Sequence, residues 1–403
     1  MSTSLLYHAF GAVGYRHVRT EFNSGCLTFH IEQDDDKLRC PCCGSSNVIR
    51  RGRKKRLFHT VPIGCRPVFL SFNVPRIGCR DCGAIRQVKI GFAEHRRTYT
   101  RAFERYVLEL SDVMTIQDIA RHLRISWDVI KDIQKRNLAK RYSSLKLSSL
   151  RFLAIDEISV GKGHRYLTVV LDLESGGIVF VGDGKGSDAL EPFFSRLRRS
   201  KPKIEAVAID MSPAYIRAVR THLKDASIVF DHFHVIKLFN DKLSDLRRKL
   251  HRDETLIERR VLKGTRWLLL KNQRNLDDNR NERQRLEAAL RVNQPLALAY
   301  YMKEDLLQLW KQPDKQAARS FINDWISRAL ASGITMLIRF AKRLGAYRNG
   351  LLAYYDYRIT TGPLEGINNK IKTMMRQAYG YRDMQFFKLK IMAIHKAKYA
   401  LIG

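Results

Sequence analysis

The chain has 403 residues and carries 73 Lys and Arg against 40 Asp and Glu, a formal net charge of +33. A hydrophobic share of 45% excludes a generally disordered protein, and the length predicts about two to four domains. Such a charge implies a polyanionic partner, either nucleic acid or an anionic membrane surface. Because no apolar run approaches about 18 residues, no membrane attachment is expected, and an intracellular nucleic-acid-binding protein is the starting interpretation.

Residues 1–37 are expected to form an N-terminal segment of mixed strand and loop, followed by a cysteine-rich domain over residues 38–97. Four cysteines of that domain form two C-x-x-C pairs, each followed by glycine: Cys40 with Cys43, and Cys79 with Cys82. Two such knuckles can close a tetrahedral site for one structural zinc ion, with Cys42 as a bystander. The alternatives are two unligated surface turns or a redox pair.

A basic stretch, "IRRGRKKRLF", lies between the two cysteine pairs. Its six basic residues are Arg50, Arg51, Arg53, Lys54, Lys55 and Arg56. In a solvated loop they would have no specific partner. Beside a zinc knuckle in so basic a protein, contact with a nucleic-acid backbone is the favoured interpretation.

Residues 98–145 switch to helical spacing, and "MTIQDIARHLRISWDVIKDIQKRN" predicts helix, short turn, helix. Ser126 is the expected N-cap of the second helix. This layout is typical of a helix-turn-helix, whose second helix enters the major groove of DNA. The candidate groove-facing side chains are Ser126, Trp127, Asp128, Lys131 and Lys135. An ordinary helical hairpin is the alternative.

From residue 150 to residue 235, strand-like runs alternate with helical ones, which indicates an α/β layer fold. The strand-like runs are "RFLAIDEIS", "YLTVVLDL", "GIVFVGDG", "IEAVAIDMS" and "SIVFDHFHV", in the order of a ribonuclease-H-like core. Residues 236–345 lack strand patterning and predict an all-α insertion, after which residues 346–403 complete the core. The expected fold is therefore multidomain α/β: a zinc ribbon and a helix-turn-helix precede a ribonuclease-H-like core that an all-α insertion interrupts.

Four aspartates of the strand-like runs are candidates for a site at the strand ends: Asp156, Asp172, Asp210 and Asp231. In the ribonuclease-H-like order the first and fourth strands are parallel neighbours, which brings Asp156 and Asp210 together. Several acids at neighbouring strand ends would repel one another unless a cation neutralises them. Asp172, on the antiparallel second strand, is interpreted as structural, and Asp231, on a flanking strand, as a supporting residue.

A third acid comes from "GPLEGINNKIK", where Pro363 predicts the first position of a helix and Glu365 its first turn. The alternative for Glu365 is a first-turn acid that only complements the helix dipole. The polar residues that follow suggest close approach to an anion: Asn368, Asn369, Lys370 and Lys372. Three acids on such a sheet predict two Mg²⁺ ions about 4 Å apart, which activate the attacking oxygen and stabilise the leaving one.

The adjacent acids in "FLAIDEIS" are not both expected to be catalytic. Successive strand side chains point to opposite faces, so at most one of Asp156 and Glu157 faces the metal. Asp156 follows the same Ala-Ile run that precedes Asp210. We therefore assign Asp156 to the metal and expect Glu157 to pair with a nearby basic residue.

The order of zinc knuckles, helix-turn-helix, "AIDE", "AIDMS", "DHFHVIK" and "GPLEGINNKIK" resembles the ISL3 family of bacterial insertion-sequence transposases, from Cys40 to about Lys390. The resemblance implies a DDE transposase, with Asp156, Asp210 and Glu365 as the catalytic and magnesium-binding acids. It implies cutting at the 3′ ends of the element and joining to a target by in-line transesterification. One departure is "ITTGPLEG", where Ser-Asn more often precedes the glycine.

Further expectations accompany this resemblance. "GTRWLLLKN" is similar to an Arg-Trp element of related transposases, so Arg266 and Trp267 are DNA-contact candidates, although a buried core Trp267 is the alternative. Asp231 and His234, in "DHFHVIK", are expected beside the acids, as are Asn368 and Asn369. The expected partners are the transposon end repeats and target DNA as duplexes, and a homodimer or higher homo-oligomer. The expected location is the bacterial cytoplasm, at the nucleoid.

Two other functions remain open from the sequence. The first is a zinc-ribbon and helix-turn-helix DNA-binding protein without catalysis, against which the presence of all three acids argues. The second is a structure-specific nuclease that cleaves but does not join. Two DNA-reading modules favour recognition of specific ends over recognition of DNA structure.

Overall fold

The structure is a computed structural model that describes residues 5–143, 145–161, 163–253 and 265–395. Tertiary contacts divide the chain into two units, residues 1–141 and residues 142–403. Within the described residues, no helix is long and apolar enough to cross a membrane.

The first unit is built on a five-stranded sheet preceded by a short helix, α1 (Leu5–Phe10). Its strands are β1 (Tyr15–Asn23), β2 (Cys26–Gln33), β3 (Val48–Ile63), β4 (Arg66–Cys79) and β5 (Ile85–Gln87). The strand order is β1-β2-β4-β3, with β5 also paired to β4. Strand β2 runs parallel to β4, so the predicted division after residue 37 falls inside one sheet. Its N-terminal strands share an apolar core with the cysteine-rich strands.

The basic stretch between the cysteine pairs is part of strand β3, not a loop. It pairs antiparallel with β4, for example Lys54 with Val74 and Arg56 with Phe72. The pairing fixes the direction of each basic side chain, because successive residues of a strand point to opposite faces. Lys54 and Arg56 therefore share one face, and Arg53 and Lys55 share the other.

Three helices complete the first unit: α2 (Arg101–Leu110), α3 (Ile116–Leu123) and α4 (Trp127–Tyr142). Helix α3 is followed by its C-cap residue Arg124, whose left-handed backbone (φ 51°) makes the tight turn into α4. The Ser126 hydroxyl accepts a hydrogen bond from the N–H of Asp128 at 3.3 Å, as expected for a cap. The predicted apolar stripes meet in one core, in which Ile119 and Ile133 are fully buried.

The sheet and the three-helix segment are joined by buried contacts within the first unit. The hydroxyl groups of Thr60 and Thr100 hydrogen-bond at 3.0 Å, and Thr100 also caps α2. The His59 ring stacks between Phe69 and Phe103, at centroid distances of 4.8 and 4.5 Å. Burial lowers the pKa of His59 to about 4, so this histidine stays neutral in the core.

The second unit contains the predicted ribonuclease-H-like sheet. Its strands are β6 (Phe152–Gly161), β7 (Arg165–Asp172), β8 (Ile178–Asp183), β9 (Ala206–Ile209) and β10 (Ser227–Phe230). The order is β10-β9-β6-β7-β8, with β6, β7 and β8 antiparallel and with β9 parallel to both β6 and β10. Helices α5 (Ser187–Ser200) and α6 (Pro213–His222) occupy the connections around β9, as the alternating pattern predicted.

The last strand-like run was predicted too long. Strand β10 ends at Phe230, and helix α7 (His232–Asp253) begins within "DHFHV". Asp231 therefore lies at the junction between strand and helix and not on a flanking strand. The helical region correspondingly starts at residue 232, four positions before the predicted start of the insertion at residue 236.

Helices follow throughout the rest of the described chain, in which no strand occurs after Phe230. They are α8 (Arg266–Leu270), α9 (Glu282–Val292), α10 (Gln294–Leu306), α11 (Lys315–Ala331), α12 (Thr335–Ala346), α13 (Arg348–Leu352), α14 (Tyr354–Tyr357), α15 (Gly362–Gln377) and α16 (Met384–Met392). Helix α15 packs against β6, and α16 against β8. The chain after the insertion thus returns to the sheet, as predicted.

Candidate active site and metal centre

Asp156 and Asp210 lie at equivalent points of two parallel neighbouring strands. Strands β6 and β9 pair in register through Ala154 and Ala208, and each aspartate is two residues further along. Both side chains are partly buried. The common Ala-Ile-Asp pattern therefore reflects a shared position in the fold.

Asp156 is held by two hydrogen bonds. Its Oδ1 accepts from the backbone N–H of Glu157 at 2.8 Å, and its Oδ2 accepts from the Asn368 side-chain amide at 2.9 Å. Asn368 is buried on α15, and its Oδ1 has no hydrogen-bond partner. A buried amide oxygen without a partner beside a carboxylate is a further oxygen donor in this site.

The pKa values of both aspartates are raised. Burial is the main cause for Asp156, and the charge of Asp210 adds to it, while His234 and the two hydrogen bonds act in the opposite direction. Burial also raises the pKa of Asp210, whereas the Ser212 N–H at 3.0 Å and the electrostatic interactions with His234, Arg343 and Lys237 lower it. The surrounding positive groups therefore do not fully compensate the burial of these carboxylates.

Glu157 is closer to this site than strand alternation predicted. Burial and then the charge of Asp210 raise its pKa, and the Tyr215 hydroxyl hydrogen-bonds to it. Lys185 contributes a weaker opposing attraction. The expected pairing with a basic residue is thus replaced chiefly by a hydroxyl partner. Tyr215 is itself fully buried and lies 3.1 Å from the Thr168 hydroxyl.

Glu365 lies in the first turn of α15, with Pro363 at the predicted helix start. Its side chain is exposed, whereas Asn368, three residues later, is buried against Asp156. Residues three apart lie on the same side of a helix. Among the described residues, the only set of three or more possible metal ligands within 4.8 Å of one another is a cysteine set, so Glu365 does not form such a set with the two aspartates.

Asp231 connects strand β10 to the start of α15. Its carboxylate is almost completely buried, and Oδ2 accepts a hydrogen bond from the Thr361 hydroxyl at 2.7 Å. Thr361 immediately precedes α15, the helix that carries Glu365 and Asn368. His234 Nε2 lies 3.9 Å from the same carboxylate, and its charge also acts on both aspartates.

Some neighbours of Asp210 could not be recognised from the sequence. Arg343, on α12, donates a hydrogen bond to the Met211 backbone oxygen at 2.9 Å. Lys237, on α7, acts on the same carboxylate. Both lie in the segment predicted as an insertion, and no motif spacing ties them to "AIDMS".

Asp172 caps the turn after β7 by accepting a hydrogen bond from the Ser175 N–H at 3.1 Å, which agrees with a structural role.

The four cysteines of the two knuckles form a potential metal centre. Their sulfur atoms all lie within 4.8 Å of one another, with Cys40 and Cys79 buried and the other two exposed. Cys40 Sγ is 3.6 Å from Cys82 Sγ, and Cys43 Sγ is 3.6 Å from Cys79 Sγ. Backbone N–H groups of Cys43 and Cys42 lower the pKa of Cys40 to about 6. Four clustered thiol groups are the donor set that zinc prefers.

The predicted DNA-contact residues lie on several surfaces. Ser126 and Trp127 are exposed at the start of α4, and Lys131 and Lys135 follow on the same helix, partly buried. Trp267 is 65% exposed on α8, which excludes the buried core position considered for it, and the Arg266 guanidinium lies 4.9 Å from its ring centre. Beyond Asn368 on α15, three polar residues are exposed: Asn369, Lys370 and Lys372.

The raised pKa of Asp210 predicts a pH-dependent cost in stability. The native protein binds more protons than the unfolded chain between the ordinary pKa of 3.8 and the raised value, so stability falls as the pH rises through that window. Asp210→Asn keeps an acceptor for the Ser212 N–H. At pH 7.5 without divalent metal, its melting temperature should therefore be higher than that of the unchanged protein by roughly a few degrees, which is the usual effect of one stabilising substitution.

This gain should shrink as the pH is lowered towards 4, and Mg²⁺ should raise the melting temperature of the unchanged protein more than that of the variant. Differential scanning fluorimetry measures both effects. Asp188→Asn is the matched control, because Asp188 is an exposed aspartate at the start of α5. An equal gain in the control, or no gain for Asp210→Asn at pH 7.5, would contradict the electrostatic interpretation.

Three family descriptions match consecutive parts of the chain. Residues 36–82 match the zinc-finger of transposases IS204, IS1001, IS1096 and IS1165. Residues 88–136 match the helix-turn-helix domain of transposase family ISL3, which confirms that prediction. Residues 153–391 match the transposase domain of the ISL3 DDE type. The order of these matches confirms the predicted arrangement of zinc ribbon, helix-turn-helix and catalytic core.

Curated relatives extend over most of the chain. The transposase for insertion sequence element IS1001 from Bordetella parapertussis is 33% identical, over 91% of this chain and 91% of its own length. The transposase for insertion sequence element IS1557 from Mycobacterium tuberculosis is 28% identical, over 86% of this chain and 83% of its own length. Among solved structures, the Drosophila P element transposase strand transfer complex matches at 13% identity and a TM-score of 0.42, covering 76% of this chain and 94% of the other.

Proposed function

The chain belongs to the ISL3 family of transposases and is a DDE transposase, and on that premise we propose that it binds the terminal inverted repeats of an insertion sequence and carries out metal-dependent DNA cleavage and strand transfer. The observation that carries the proposal is the pair Asp156 and Asp210. The two carboxylates lie on parallel neighbouring strands, and their pKa values stay raised despite nearby positive groups. Such an arrangement costs stability and is expected where a cation binds.

Asp156, Asp210 and Glu365 are proposed to hold two Mg²⁺ ions. The donor set fits a hard cation, because it consists of carboxylates with the unpartnered amide oxygen of Asn368 beside them. When bound, the ions supply activation of the attacking oxygen and stabilisation of the leaving oxygen on a phosphodiester. Glu365 is exposed on the first turn of α15, where an approaching DNA strand can reach it.

The surrounding residues have proposed positioning roles. The Asn368 amide orients the Asp156 carboxylate, and its attachment to α15 ties that helix to strand β6. Asp231 is proposed to hold the start of the same helix through its hydrogen bond with Thr361, and so to position the first turn, which carries Glu365. His234, 3.9 Å from Asp231, lowers the pKa of both aspartates, and its imidazole is proposed to reduce their mutual repulsion. Asn369 is assigned beside these groups on the exposed side of α15.

The remaining proposals concern zinc, DNA and assembly. We assign one structural Zn²⁺ to the four knuckle cysteines. The exposed basic residues of β3, helix α4 with Ser126 and Trp127, and Lys370 and Lys372 are assigned to DNA. Trp267 is proposed to stack on an unpaired base, and its exposure with Arg266 beside it supports this role. Because both element ends must be held together, we propose a homodimer or larger assembly on DNA, in the bacterial cytoplasm at the nucleoid.

A strand-transfer assay tests the function directly. Labelled duplexes that carry the element's terminal repeats are incubated with the protein and target DNA, with Mg²⁺ or with EDTA. We expect joined products with Mg²⁺ and none with EDTA, because the acids bind DNA productively only when a cation offsets their charge. Ca²⁺ serves as a control for metal-dependent binding without cleavage.

Two other outcomes would replace the proposal. Binding without cleavage at any divalent metal would indicate a DNA-binding protein that lacks catalysis. Cleaved ends that are never joined would indicate a nuclease. The presence of both aspartates at equivalent strand positions favours the catalytic interpretation over the first.

A further inference from the structure

A concave, strongly basic surface lies in the first unit, beside the first cysteine knuckle, whose residues Pro41 and Cys42 also line it. It is a cavity of about 800 Å³, between one face of β3, strand β5 and the segment that leads to α2. Six Lys and Arg side chains line it, and we call it the basic cavity: Lys54, Arg56, Arg86, Lys89, Arg96 and Arg101. Four of these six residues lie outside the basic stretch identified in the sequence.

Strand geometry selects which residues of the basic stretch face the cavity. Lys54 and Arg56 are two residues apart on β3 and line it, whereas Arg53 and Lys55, from the opposite face, do not. The cavity is therefore lined by only part of the basic segment, together with basic residues at least thirty positions further along the chain. A sequence run alone would not distinguish these two faces.

The charges in the cavity are largely uncompensated. Among the described residues that line the cavity, one is acidic: Glu94, which forms an ion pair with Arg101 at 2.9 Å. Arg56 is fixed in place, because its guanidinium donates to the Arg97 backbone oxygen at 2.7 Å and lies 4.7 Å from the Phe58 ring centre. Gathering like charges in a concavity is unfavourable unless a polyanion enters it.

The same segment is attached to the recognition helix. Arg97, whose backbone oxygen holds Arg56, donates through its own guanidinium to Asp132 of α4 at 2.9 Å. Arg136, which lies one helical turn after Asp132 on α4, forms ion pairs with both Asp132 and Glu104 at 3.1 Å. The cavity and α4 thus share a chain of hydrogen bonds within one unit. An anion bound in the cavity would therefore lie at a fixed position relative to α4.

We propose that the basic cavity binds the phosphate backbone of the DNA duplex whose major groove receives α4. The proposal rests on the proposed end binding and adds to it a second contact surface, one that does not read sequence. Duplex DNA is favoured over RNA or an acidic protein, because the attached helix-turn-helix is a major-groove element and the major groove of duplex RNA is too narrow for it.

Salt-dependent binding of the full-length protein tests this assignment. Each phosphate contact contributes about 0.9 to the slope of log K against log salt for duplex DNA. Lys54→Ala combined with Arg86→Ala should therefore lower that slope by about two. The reduction should be equal for a terminal-repeat duplex and for a duplex of random sequence, because phosphate contacts are independent of base sequence.

Lys37→Ala combined with Arg66→Ala is the matched control, since it removes one exposed Lys and one exposed Arg that lie in the same unit and do not line the cavity. We expect a slope change below about 0.5 in this control. Equal changes in the two double variants would overturn the cavity assignment while leaving the transposase function intact. A change seen only with single-stranded RNA would assign the cavity to another partner, and no duplex binding by the unchanged protein would overturn the end-binding proposal as well.

Retention of the fold is measured on the same samples. Both double variants should keep one zinc per chain and an unchanged melting temperature, because all four substituted side chains are exposed. A cavity variant that loses its zinc or melts early is replaced by Lys54→Gln with Lys89→Gln. These two lysines line the cavity from β3 and from the segment after β5, and the same slope criterion then applies.

Discussion

Asp156→Asn should lower strand transfer by at least about a thousandfold, whereas Glu157→Gln, one residue along the same strand, should lower it by less than about tenfold. Asparagine keeps the size of Asp156 and an oxygen that can accept the Glu157 N–H, but it removes the negative charge. Loss of a charge that holds a divalent cation costs several kcal/mol of transition-state stabilisation, which corresponds to about three powers of ten in rate.

Glu157 provides an unusually close comparison. It is partly buried and near Asp210, so general loss of charge in this region affects both variants. Glutamine keeps an acceptor for the Tyr215 hydroxyl and relieves the repulsion with Asp210. If Glu157 only neighbours the site, its replacement should leave catalysis nearly unchanged. The assay is the strand-transfer reaction with terminal-repeat DNA and Mg²⁺, at equal amounts of DNA-bound protein.

The reverse ranking would show that Glu157 holds the metal, and the assignment of the strand face would then be wrong. Equal, large losses would indicate that both acids act. Titration of Mg²⁺ separates these cases, because a lost ligand raises the metal concentration needed for half-maximal rate. A protein that is merely misfolded would fail to bind terminal-repeat DNA in Ca²⁺, which both variants are expected to do.

The arrangement of the core could be predicted from the sequence because it depends on local patterns. Apolar strand runs alternate with helical ones between residues 150 and 235, and few topologies fit that order. The position of Asp156 beside Asp210 followed from the topology alone, and strands β6 and β9 have the expected parallel pairing. Helix α15 also begins where Pro363 predicted.

Features that depend on long-range contacts could not be predicted in this way. The parallel pairing of β2 with β4 joins segments about forty residues apart, and it brings the N-terminal strands into the cysteine-rich sheet. The nearness of Glu157 to Asp210 was also missed. Strand alternation predicts the direction of a side chain, but a charge acts over several ångströms in partly buried surroundings, whichever face carries it.

The exposure of Trp267 illustrates a third limit. Its flanking residues Leu268 and Leu269 are buried, and helical spacing over so short a segment does not decide which side of α8 faces the protein. Hydrophobicity favours burial of tryptophan in general. The structure shows the opposite at this position, and an exposed aromatic ring beside Arg266 is what binding of an unstacked base requires.

Cys79→Ser should reduce the zinc content from about one ion per chain towards zero, and Cys42→Ser should leave it unchanged. Cys79 is buried, and its sulfur lies 3.6 Å from that of Cys43, whereas Cys42 is exposed and outside the set of clustered sulfur atoms. Cys42 contributes to the knuckle through its backbone N–H, which serine retains. Inductively coupled plasma mass spectrometry on purified protein measures the metal directly.

The effect on folding should be equally large. Binding of structural zinc contributes about 10–16 kcal/mol in small zinc-dependent domains, more than the net stability of a typical domain. Cys79 ends β4, the strand that pairs with β2, β3 and β5, so loss of the metal should loosen the whole first sheet. Limited proteolysis should then cut Cys79→Ser within residues 5–97 while residues 265–395 stay protected. Unchanged zinc content in Cys79→Ser would refute the ligand set, and zinc loss in Cys42→Ser would move the fourth ligand to the residue that the spacing left as a bystander.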